Sequence, residues 1–258
     1  MATYLDRILD EHRAVAAEDD RPLEPMLDEA RGMPPTRGFR AALADADGLA
    51  VIAEVKRRSP SAGPLRPDLD PAALARAYAA GGASCLSVLT DATSFGGSAA
   101  DLTVARAAGA LPVLRKDFTV SERDVVDTRR MGADAVLLIA AALDDAELAA
   151  FSALAAEVGL DALVEVHDEA ELQRALAVDA TLVGVNQRDL VTFEVDNERA
   201  VRVGEAMPPS VVRVAESGIR GPEDAAGLAA AGFDAVLVGE SVVTSGDPAA
   251  AVAALRTA

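Results

Sequence analysis

One pattern dominates the chain: a short apolar run rich in β-branched residues, followed by an Ala-rich stretch with helical spacing, repeated eight times after about residue 48. The runs predicted as strands are Val51–Lys56, Cys85–Leu89, Pro112–Arg115, Ala135–Ile139, Ala162–Val166, Leu182–Asn186, Val211–Ala215 and Ala235–Gly239. They are almost continuously apolar, which is typical of parallel strands covered by helices. Eight such units predict a closed (β/α)8 TIM barrel. A doubly wound open sheet is the alternative, but no G-x-G-x-x-G follows the first run.

Residues 1–48 read differently and predict a helical leader packed on residues 49–258, within a single domain 1–258. Tyr4–Ala17 has helical spacing of apolar residues, and a third short helix is expected around Phe39–Ala46. Prolines at 22, 25, 34 and 35 are expected to interrupt the segment between them.

Composition narrows the functional classes. The net charge of −18 would repel nucleic acid and anionic membranes, so neither is expected as a partner. One cysteine cannot form an intramolecular disulfide, and no long apolar span or signal peptide is visible. These features predict a cytoplasmic protein. A monomer is also expected.

Both lysines of the chain fall at predicted strand ends, although the sequence carries 24 Lys and Arg residues in total. In (β/α)8 barrels, the carboxyl ends of the strands carry the active site. Lys56 and Lys116 lie at those ends, and a lysine can transfer a proton where an arginine cannot.

Strand alternation predicts which side chains point into the barrel, because residues i and i+2 share a face. Glu54 and Lys56 then face inward while Val55 faces the helices, and Glu165 and Asn186 also face inward. Such a mouth suits general acid–base catalysis, since close Lys and Glu side chains shift each other's pKa. The alternative is a set of salt bridges that only fills the barrel.

Glycines after the seventh and eighth runs suggest an anion site. Ser217-Gly218 and Gly239-Glu240 would expose backbone N–H groups where these barrels commonly bind phosphate, and Ser59 could add a hydroxyl. The alternative is a pair of tight turns without a ligand.

No cofactor or metal is expected. The sequence has no Walker A motif, no dinucleotide fingerprint and no His/Cys/carboxylate group with metal-ligand spacing. His12 is placed on the leader helix, and His167 on the same side of its strand as Glu165. Cys85 is expected to be buried and inert.

The chain resembles the indole-3-glycerol phosphate synthase family of tryptophan biosynthesis. The segments that carry the resemblance are IAEVKRRSPSAG (52–63), AGGASCLSVLTDATSFGGS (80–98), LPVLRKDF (111–118), GADAVLLIAA (132–141), LVEVHDEAEL (163–172), GVNQRDLVTFEVD (184–196), VAESGIRGPED (214–224) and DAVLVGESVV (234–243). They cover the barrel in order, and a leader of about 48 residues is also typical of the family.

The resemblance implies closure of a small phosphorylated substrate, 1-(2-carboxyphenylamino)-1-deoxyribulose 5-phosphate, to an indole with loss of CO2 and water. Lys116 resembles the general acid of ring closure. Glu54, Lys56 and Glu165 resemble the groups that steer closure and dehydration, with the division of roles left open.

The remaining candidates have binding or orienting roles. By resemblance, Asn186, Arg188 and Ser217 orient the substrate, and Glu216 joins the substrate-binding set. The resemblance implies a phosphate site formed by Ser59, Gly218, Gly239 and Glu240. It also implies walls for the anthranilate ring formed by Phe95, Phe118 and Leu190. Arg123-Asp124 departs from a Tyr-Gln pair common in relatives, at a position expected to affect loop motion and rate.

Two other functions stay open at this point. A sister phosphoribosyl isomerase would use a Cys or Asp base where Lys56 stands. A barrel that binds phosphate ligands without catalysis would not need the complete Lys and Glu set.

Overall fold

The structure, a computed structural model, describes residues 4–189 and 194–256. Eight parallel strands close into a barrel, each hydrogen-bonded to its neighbours in chain order, with the last strand beside the first. The strands are β1 (Ala50–Val55), β2 (Cys85–Leu89), β3 (Val113–Lys116), β4 (Ala135–Ile139), β5 (Asp161–Val166), β6 (Leu182–Asn186), β7 (Val212–Glu216) and β8 (Ala235–Val238). The predicted (β/α)8 barrel is confirmed, and the open-sheet alternative is wrong.

Helices surround the barrel and precede it. They are α1 (Tyr4–Glu18), α2 (Leu23–Arg31), α3 (Phe39–Ala44), α4 (Pro71–Ala80), α5 (Ala92–Phe95), α6 (Ala99–Ala107), α7 (Glu122–Arg130), α8 (Asp145–Glu157), α9 (Glu169–Ala177), α10 (Asn197–Glu205), α11 (Pro222–Ala230), α12 (Glu240–Val243) and α13 (Pro248–Arg256). A short 3-10 turn covers Ala140–Ala142, and Arg58–Ser59 pairs with Gly63–Pro64 in a small hairpin after β1. None of the helices in the described ranges is long and apolar enough to cross a membrane.

Local sequence chemistry starts several of these helices. The carboxylate of Asp70 accepts hydrogen bonds from the backbone N–H groups of Ala72 and Ala73, and Pro71 occupies the first helical position. Ser121 and Asp168 cap α7 and α9 in the same way. Each cap supplies an acceptor to an N–H that has no partner inside its helix.

Alternation along the strands divides the apolar residues into two layers. On β1, Val51, Ala53 and Val55 belong to the layer between barrel and helices, whereas Ala50 and Ile52 fill the barrel interior. The same alternation on every strand builds a closed apolar floor inside the barrel. Polar side chains are therefore confined to the two ends of the interior.

One proline of the leader, Pro25, does not act as the sequence suggested, whereas Pro22, Pro34 and Pro35 lie outside the helices. Pro22 precedes α2 as its N-cap residue, but Pro25 lies inside the first turn of that helix. A proline is tolerated there because the first backbone N–H groups of a helix have no intrahelical acceptor to lose. The expectation that Pro25 interrupts the segment was wrong for this reason.

The leader reaches both ends of the barrel. Phe39 and Leu43 of α3 join the interior apolar layer, and the backbone N–H of Arg40 donates to Asp161 at the amino end of β5. Helix α1 lies at the opposite end, where Tyr4, Leu5 and Ile8 line a cavity. One end of the barrel is therefore plugged, and the other is partly roofed by α1.

Candidate active site

A cavity of about 610 Å³ opens at the carboxyl ends of the strands. Every sequence-predicted site residue that the structure describes lines it; Leu190 lies outside the described residues. Those lining residues are Glu54, Lys56, Ser59, Phe95, Lys116, Phe118, Glu165, Asn186, Arg188, Glu216, Ser217, Gly218, Gly239 and Glu240. The strand ends thus bring together residues that are up to 186 positions apart in sequence numbering.

Lys116 is the central cation of this cavity. Its Nζ lies 3.3 Å from Glu165 Oε2 and 3.9 Å from Glu216 Oε2. Burial acts to lower the pKa of Lys116, but the negative charges of Glu165, Glu216 and Glu54 outweigh it and raise that pKa above its ordinary value. Lys116 therefore carries its proton at neutral pH.

Glu165 and Glu216 are neighbouring buried carboxyl groups with opposite pKa shifts. Burial acts to raise the pKa of Glu165, but Lys116, His167 and the amide of Asn186 bring it below the ordinary value. Burial and the nearby charge of Glu165 raise the pKa of Glu216 well above its ordinary value. Two close carboxyls that hold different protonation states are typical of acid–base sites.

A second ion pair faces the same cavity. Lys56 Nζ lies 2.5 Å from Glu54 Oε1, and both side chains are largely buried. Lys56 follows β1 directly instead of ending it, but the predicted inward orientation of Glu54 and Lys56 holds. The phenol of Tyr78, on α4, donates a 3.0 Å hydrogen bond to the backbone carbonyl of Glu54 and so helps to fix this strand end.

Two glycines leave room for these carboxylates on the neighbouring strands. A Cβ on Gly239 would lie 2.3 Å from Glu54 Oε1 and 3.0 Å from Lys56 Nζ. A Cβ on Gly184 would lie 2.1 Å from Glu216 Oε1. Both distances are far below van der Waals contact, so any larger residue would displace an acid–base group.

The predicted cradle for an anion falls at the ends of β7 and β8. Ser217 and Gly218 adopt left-handed backbone conformations in succession, with φ of 67° and 74°. Such a conformation is strained for a non-glycine residue, and strain of this kind concentrates at functional sites. Gly239 leads directly into α12, and the chain around Ser59 lies across the opening, where Ser59 Oγ accepts a hydrogen bond from Ala62 N–H.

Buried amides hold the cradle in place. Gln187 Nε2 donates a 2.8 Å hydrogen bond to the carbonyl of Ser217. Asn186 Nδ2 donates to Glu165 Oε1 at 3.0 Å, while Asn186 Oδ1 accepts from the backbone N–H of Arg188 at 3.0 Å. Sequence reasoning missed Gln187, although it stands inside the N-Q-R-D motif beside two residues that were identified.

The opposite side of the cavity is apolar. The rings of Phe95 and Phe118 lie 6.4 Å apart between centroids, and Leu5 and Ile8 of α1 continue this wall. Sequence reasoning treated the leader as packing only. The apolar spacing of Leu5 and Ile8 was visible, but no local pattern states which end of the barrel a leader helix covers.

A polar network outside the cavity fastens α1 to the barrel. His12 Nε2 lies 3.1 Å from Asp91 Oδ2 and 4.0 Å from Asp117 Oδ1. The hydrogen bond with Asp91 raises the pKa of His12 above its ordinary value. Asp91 also caps α5, and Asp117 accepts from Arg115 at 2.9 Å.

These three side chains are close enough to hold a metal ion. Spacing along the sequence could not reveal this group, since His12 and Asp91 are 79 residues apart. The network of hydrogen bonds from Arg115, Thr90 and the backbone N–H groups of Ser94 and Phe118 already uses the carboxylate oxygens.

His167 lies just behind Glu165. Its Nε2 is 3.7 Å from Glu165 Oε1, and its Nδ1 is 3.1 Å from Glu171 Oε2. The side chain does not line the cavity. The sequence placed His167 on the correct side of β5 without assigning it a role.

The Arg123-Asp124 departure lies at the start of α7. The carboxylate of Asp124 accepts hydrogen bonds from Val120 N–H and Ser121 Oγ, and Arg123 Nε donates to the carbonyl of Arg21 in the leader. Neither side chain lines the cavity. These residues join a loop to the leader, and their effect on rate stays a prediction.

Together these features define a site for acid–base chemistry on an anionic substrate. Two ammonium groups, each beside a carboxylate, face a cavity with an anion cradle at one side and an aromatic wall at the other. In a protein of net charge −18, such local positive charge is what an anion requires.

The family model described as indole-3-glycerol phosphate synthase matches residues 5–255. An indole-3-glycerol phosphate synthase of Mycobacterium ulcerans is 50% identical over 259 residues, covering all of this chain and 95% of the relative. Indole-3-glycerol phosphate synthase 2 of Streptomyces coelicolor is 53% identical over 226 residues, covering 88% of this chain and 87% of the relative.

A structure of thiamine phosphate pyrophosphorylase from Pyrococcus furiosus superposes with a TM-score of 0.61 at 18% identity, over 81% of this chain and 94% of that one. At that identity the likeness concerns the fold alone. The family model and the two relatives at 50% and 53% identity extend along nearly the whole sequence. The chain belongs to the indole-3-glycerol phosphate synthase family.

Proposed function

We propose that this cavity converts 1-(2-carboxyphenylamino)-1-deoxyribulose 5-phosphate to indole-3-glycerol phosphate, as a carboxy-lyase. The observation that carries the proposal is that one cavity holds two ion pairs, Lys116 with Glu165 and Lys56 with Glu54. The reaction needs proton donors at two moments, for ring closure and for dehydration, and the site holds two ammonium groups.

The cavity orients the substrate from its two ends. The phosphate binds the backbone of Gly218, Gly239 and Glu240, with the Ser59 hydroxyl beside them. The anthranilate ring lies against Phe95 and Phe118, and Leu190 is proposed to extend that wall. The chain of the sugar then passes between the two ion pairs, which places its ketone near Lys116.

Ring closure forms a carbon–carbon bond between the ketone carbon and the ring carbon that bears the carboxylate. Lys116 donates a proton to the ketone oxygen as this bond forms, so no free alkoxide develops. The bond to CO2 then breaks, and its electron pair restores the aromatic ring. The electrons therefore need no cofactor as a sink, and Lys116 regains its proton from water.

Dehydration removes the new hydroxyl group as water and creates the indole double bond. Lys56 donates a proton to the leaving hydroxyl, and Glu54 accepts a proton from the methylene carbon beside the nitrogen. We assign the two roles to this pair because Lys56 and Glu54 are in contact. Lys56 loses one proton and Glu54 gains one, so the net charge of the pair does not change. Glu165, ionised, holds Lys116 in place through both steps.

The other polar residues position these groups. Asn186 orients Glu165, Arg188 offers a cation to the substrate carboxylate, and Ser217 presents its strained backbone to the ligand. Glu216, whose pKa is raised by burial and by the nearby charge of Glu165, lies beside Lys116 and helps to hold it at the site.

A fluorescence assay for the indole product, with the purified chain and the arylamino ketose, tests the proposal. Turnover without an added cofactor or metal is the expected result. No indole with this substrate, but isomerisation of the preceding aminoaldose, would support the sister isomerase instead. Binding of phosphate ligands without any turnover would support a non-catalytic barrel. The monomeric state and the cytoplasmic location stay predictions.

A further inference from the structure

We propose that His167, held by Glu171, is a positioning residue that keeps Glu165 ionised from the side opposite the substrate. The inference rests on the proposed role of Glu165 as the counter-ion of Lys116. His167 reaches the reaction only through Glu165, because its side chain does not line the cavity.

Local sequence fixes the imidazole where it stands. Glu171 occupies the first turn of α9, and its Oε2 accepts both the backbone N–H of His167 at 2.8 Å and the ring Nδ1 at 3.1 Å. Asp168 caps the same helix by accepting the N–H of Glu171 at 2.8 Å. The ring orientation is therefore set by the helix that begins directly after β5.

The second ring nitrogen points at the catalytic carboxylate. His167 Nε2 is buried, has no hydrogen-bond partner among the described residues, and lies 3.7 Å from Glu165 Oε1. If the ring were neutral with its proton on Nδ1 facing Glu171, a lone pair would face the Glu165 carboxylate. The doubly protonated ring instead presents an N–H to a carboxylate on each side.

The surrounding charges favour that form. Glu165 on β5 and Glu171 on α9 face the ring, and Arg199 on α10 opposes them. Burial acts to lower the pKa of His167, but the two carboxylates raise it above its ordinary value. The side chains of Glu165, His167 and Glu171 are 2%, 12% and 18% exposed, so the carboxylate nearest the substrate receives the least help from water.

The same coupling between His167 and Glu165 also changes the pKa of Glu165. A carboxylate that raises the pKa of a histidine has its own pKa lowered by the same free energy. His167 therefore adds a third cation to Lys116 and Lys56, against the acidic groups Glu54, Glu165 and Glu216. Without it, Glu165 would compete less well with Glu216 for the ionised state.

Histidine NMR tests the coupling without any assay of activity. The chain has only two histidines, so labelled imidazole gives two titration curves, and the His12→Gln variant assigns them. We expect the His167 pKa to lie above 6.5 and to fall by about one unit in Glu165→Gln, the size typical of a charge within 4–6 Å. An unchanged His167 titration in Glu165→Gln would overturn the proposal even in a fully active enzyme.

The pH dependence of kcat/KM tests the consequence for catalysis. In His167→Gln, which keeps a polar side chain without the charge, we expect the acid limb to move to higher pH by about one unit. KM at the pH optimum should not change. Glu171→Gln keeps the imidazole but removes the negative charge that helps to raise the pKa of His167. It should shift the acid limb in the same direction, by a smaller amount.

His12→Gln is the matched control, because it also breaks a histidine–carboxylate contact but far from Glu165. It should leave the acid limb in place. A limb in His167→Gln that coincides with the wild type, or a raised KM with an unshifted limb, would show that His167 has only a structural role. Far-UV circular dichroism separates either result from unfolding, and failure of the whole chain to form indole would refute the proposed function instead.

Discussion

Lys116 and Glu165 meet across the mouth of the barrel, with 3.3 Å between Nζ and Oε2, although their strands β3 and β5 are separated by β4. The contact exists because both side chains leave their strands toward the barrel axis, above the apolar floor. Glu216 from β7 joins them at 3.9 Å from Lys116. Alternate strands thus supply one acid–base group each, as the layered interior of these barrels requires.

Replacing Lys116 should remove catalysis and leave the fold intact. In Lys116→Met we expect kcat to fall by about 10³-fold, within the range for loss of a general acid. Lys116→Arg is the matched variant: it keeps the charge beside Glu165 but cannot give up its proton, so it should also be inactive. The fluorescence assay measures both, with circular dichroism as the check on folding. Near-normal turnover in either variant would refute the acid role.

Truncation of Ile8 should impair both stability and substrate binding. Ile8 is 6% exposed and lines the cavity from α1. Ile8→Ala should lower the free energy of unfolding by about 2 kcal/mol and raise KM, because the apolar wall loses a branch. Val15→Ala on the same helix is the control, since Val15 is 71% exposed. Equal effects of the two substitutions on KM would contradict a binding role for α1.

The contact between His12 and Asp91 should stabilise the protein more in acid than in base. The folded pKa of His12 is raised above 6.5, so its contribution is complete below pH 6.5 and is lost as the pH rises through the folded value. Asp91 has a lowered pKa and stays ionised through this window. We expect His12→Gln to lower the free energy of unfolding by about 1–2 kcal/mol at pH 5.5 and by less at pH 9.

Urea unfolding of wild type and variant at the two pH values measures this difference. Arg13→Gln provides the control, because it breaks another contact between α1 and the barrel, the pair of Arg13 with Glu147, that does not titrate in this range. A His12→Gln effect that grows from pH 5.5 to pH 9 would show that the charged imidazole does not provide the stabilisation.

A methyl group at Gly239 should damage catalysis through the Lys56–Glu54 pair. The added Cβ would lie 2.3 Å from Glu54 Oε1, so Gly239→Ala has to move that carboxylate. We expect kcat/KM to fall by about 10²-fold, the size typical of a misplaced catalytic group. Gly246→Ala is the control, because its Cβ would meet nothing within 4 Å. Comparable activity of the two variants would show that Glu54 can move without loss.

Features set by local pattern could be predicted from the sequence. Apolar runs located all eight strands to within one residue at each end, and alternation placed Glu54, Lys56 and Glu165 inward. These features depend on neighbours in the chain, so the sequence states them directly.

Features set by tertiary packing could not be predicted in this way. The position of α1 over the cavity and the contact of His12 with Asp91 depend on how distant segments meet. The sequence did not show that a helix can contain Pro25, because a proline is tolerated only near the first residue of a helix and that residue was not known. The left-handed backbone of Ser217 follows from the surrounding turn and from the hydrogen bond of Gln187 to its carbonyl, and a serine gives no sign of it.

The bare backbone at Gly184 and Gly239 sets where this enzyme can be redesigned. Substitution at Gly184 meets Glu216 and substitution at Gly239 meets Glu54, so changes at these two positions disturb the acid–base groups. Leu5 and Ile8 border the same cavity from a helix outside the barrel, and their own side chains carry no ionisable group. Diversity aimed at accepting a differently substituted aromatic amine therefore belongs on α1, where the shape of the pocket can change while its proton chemistry stays as it is.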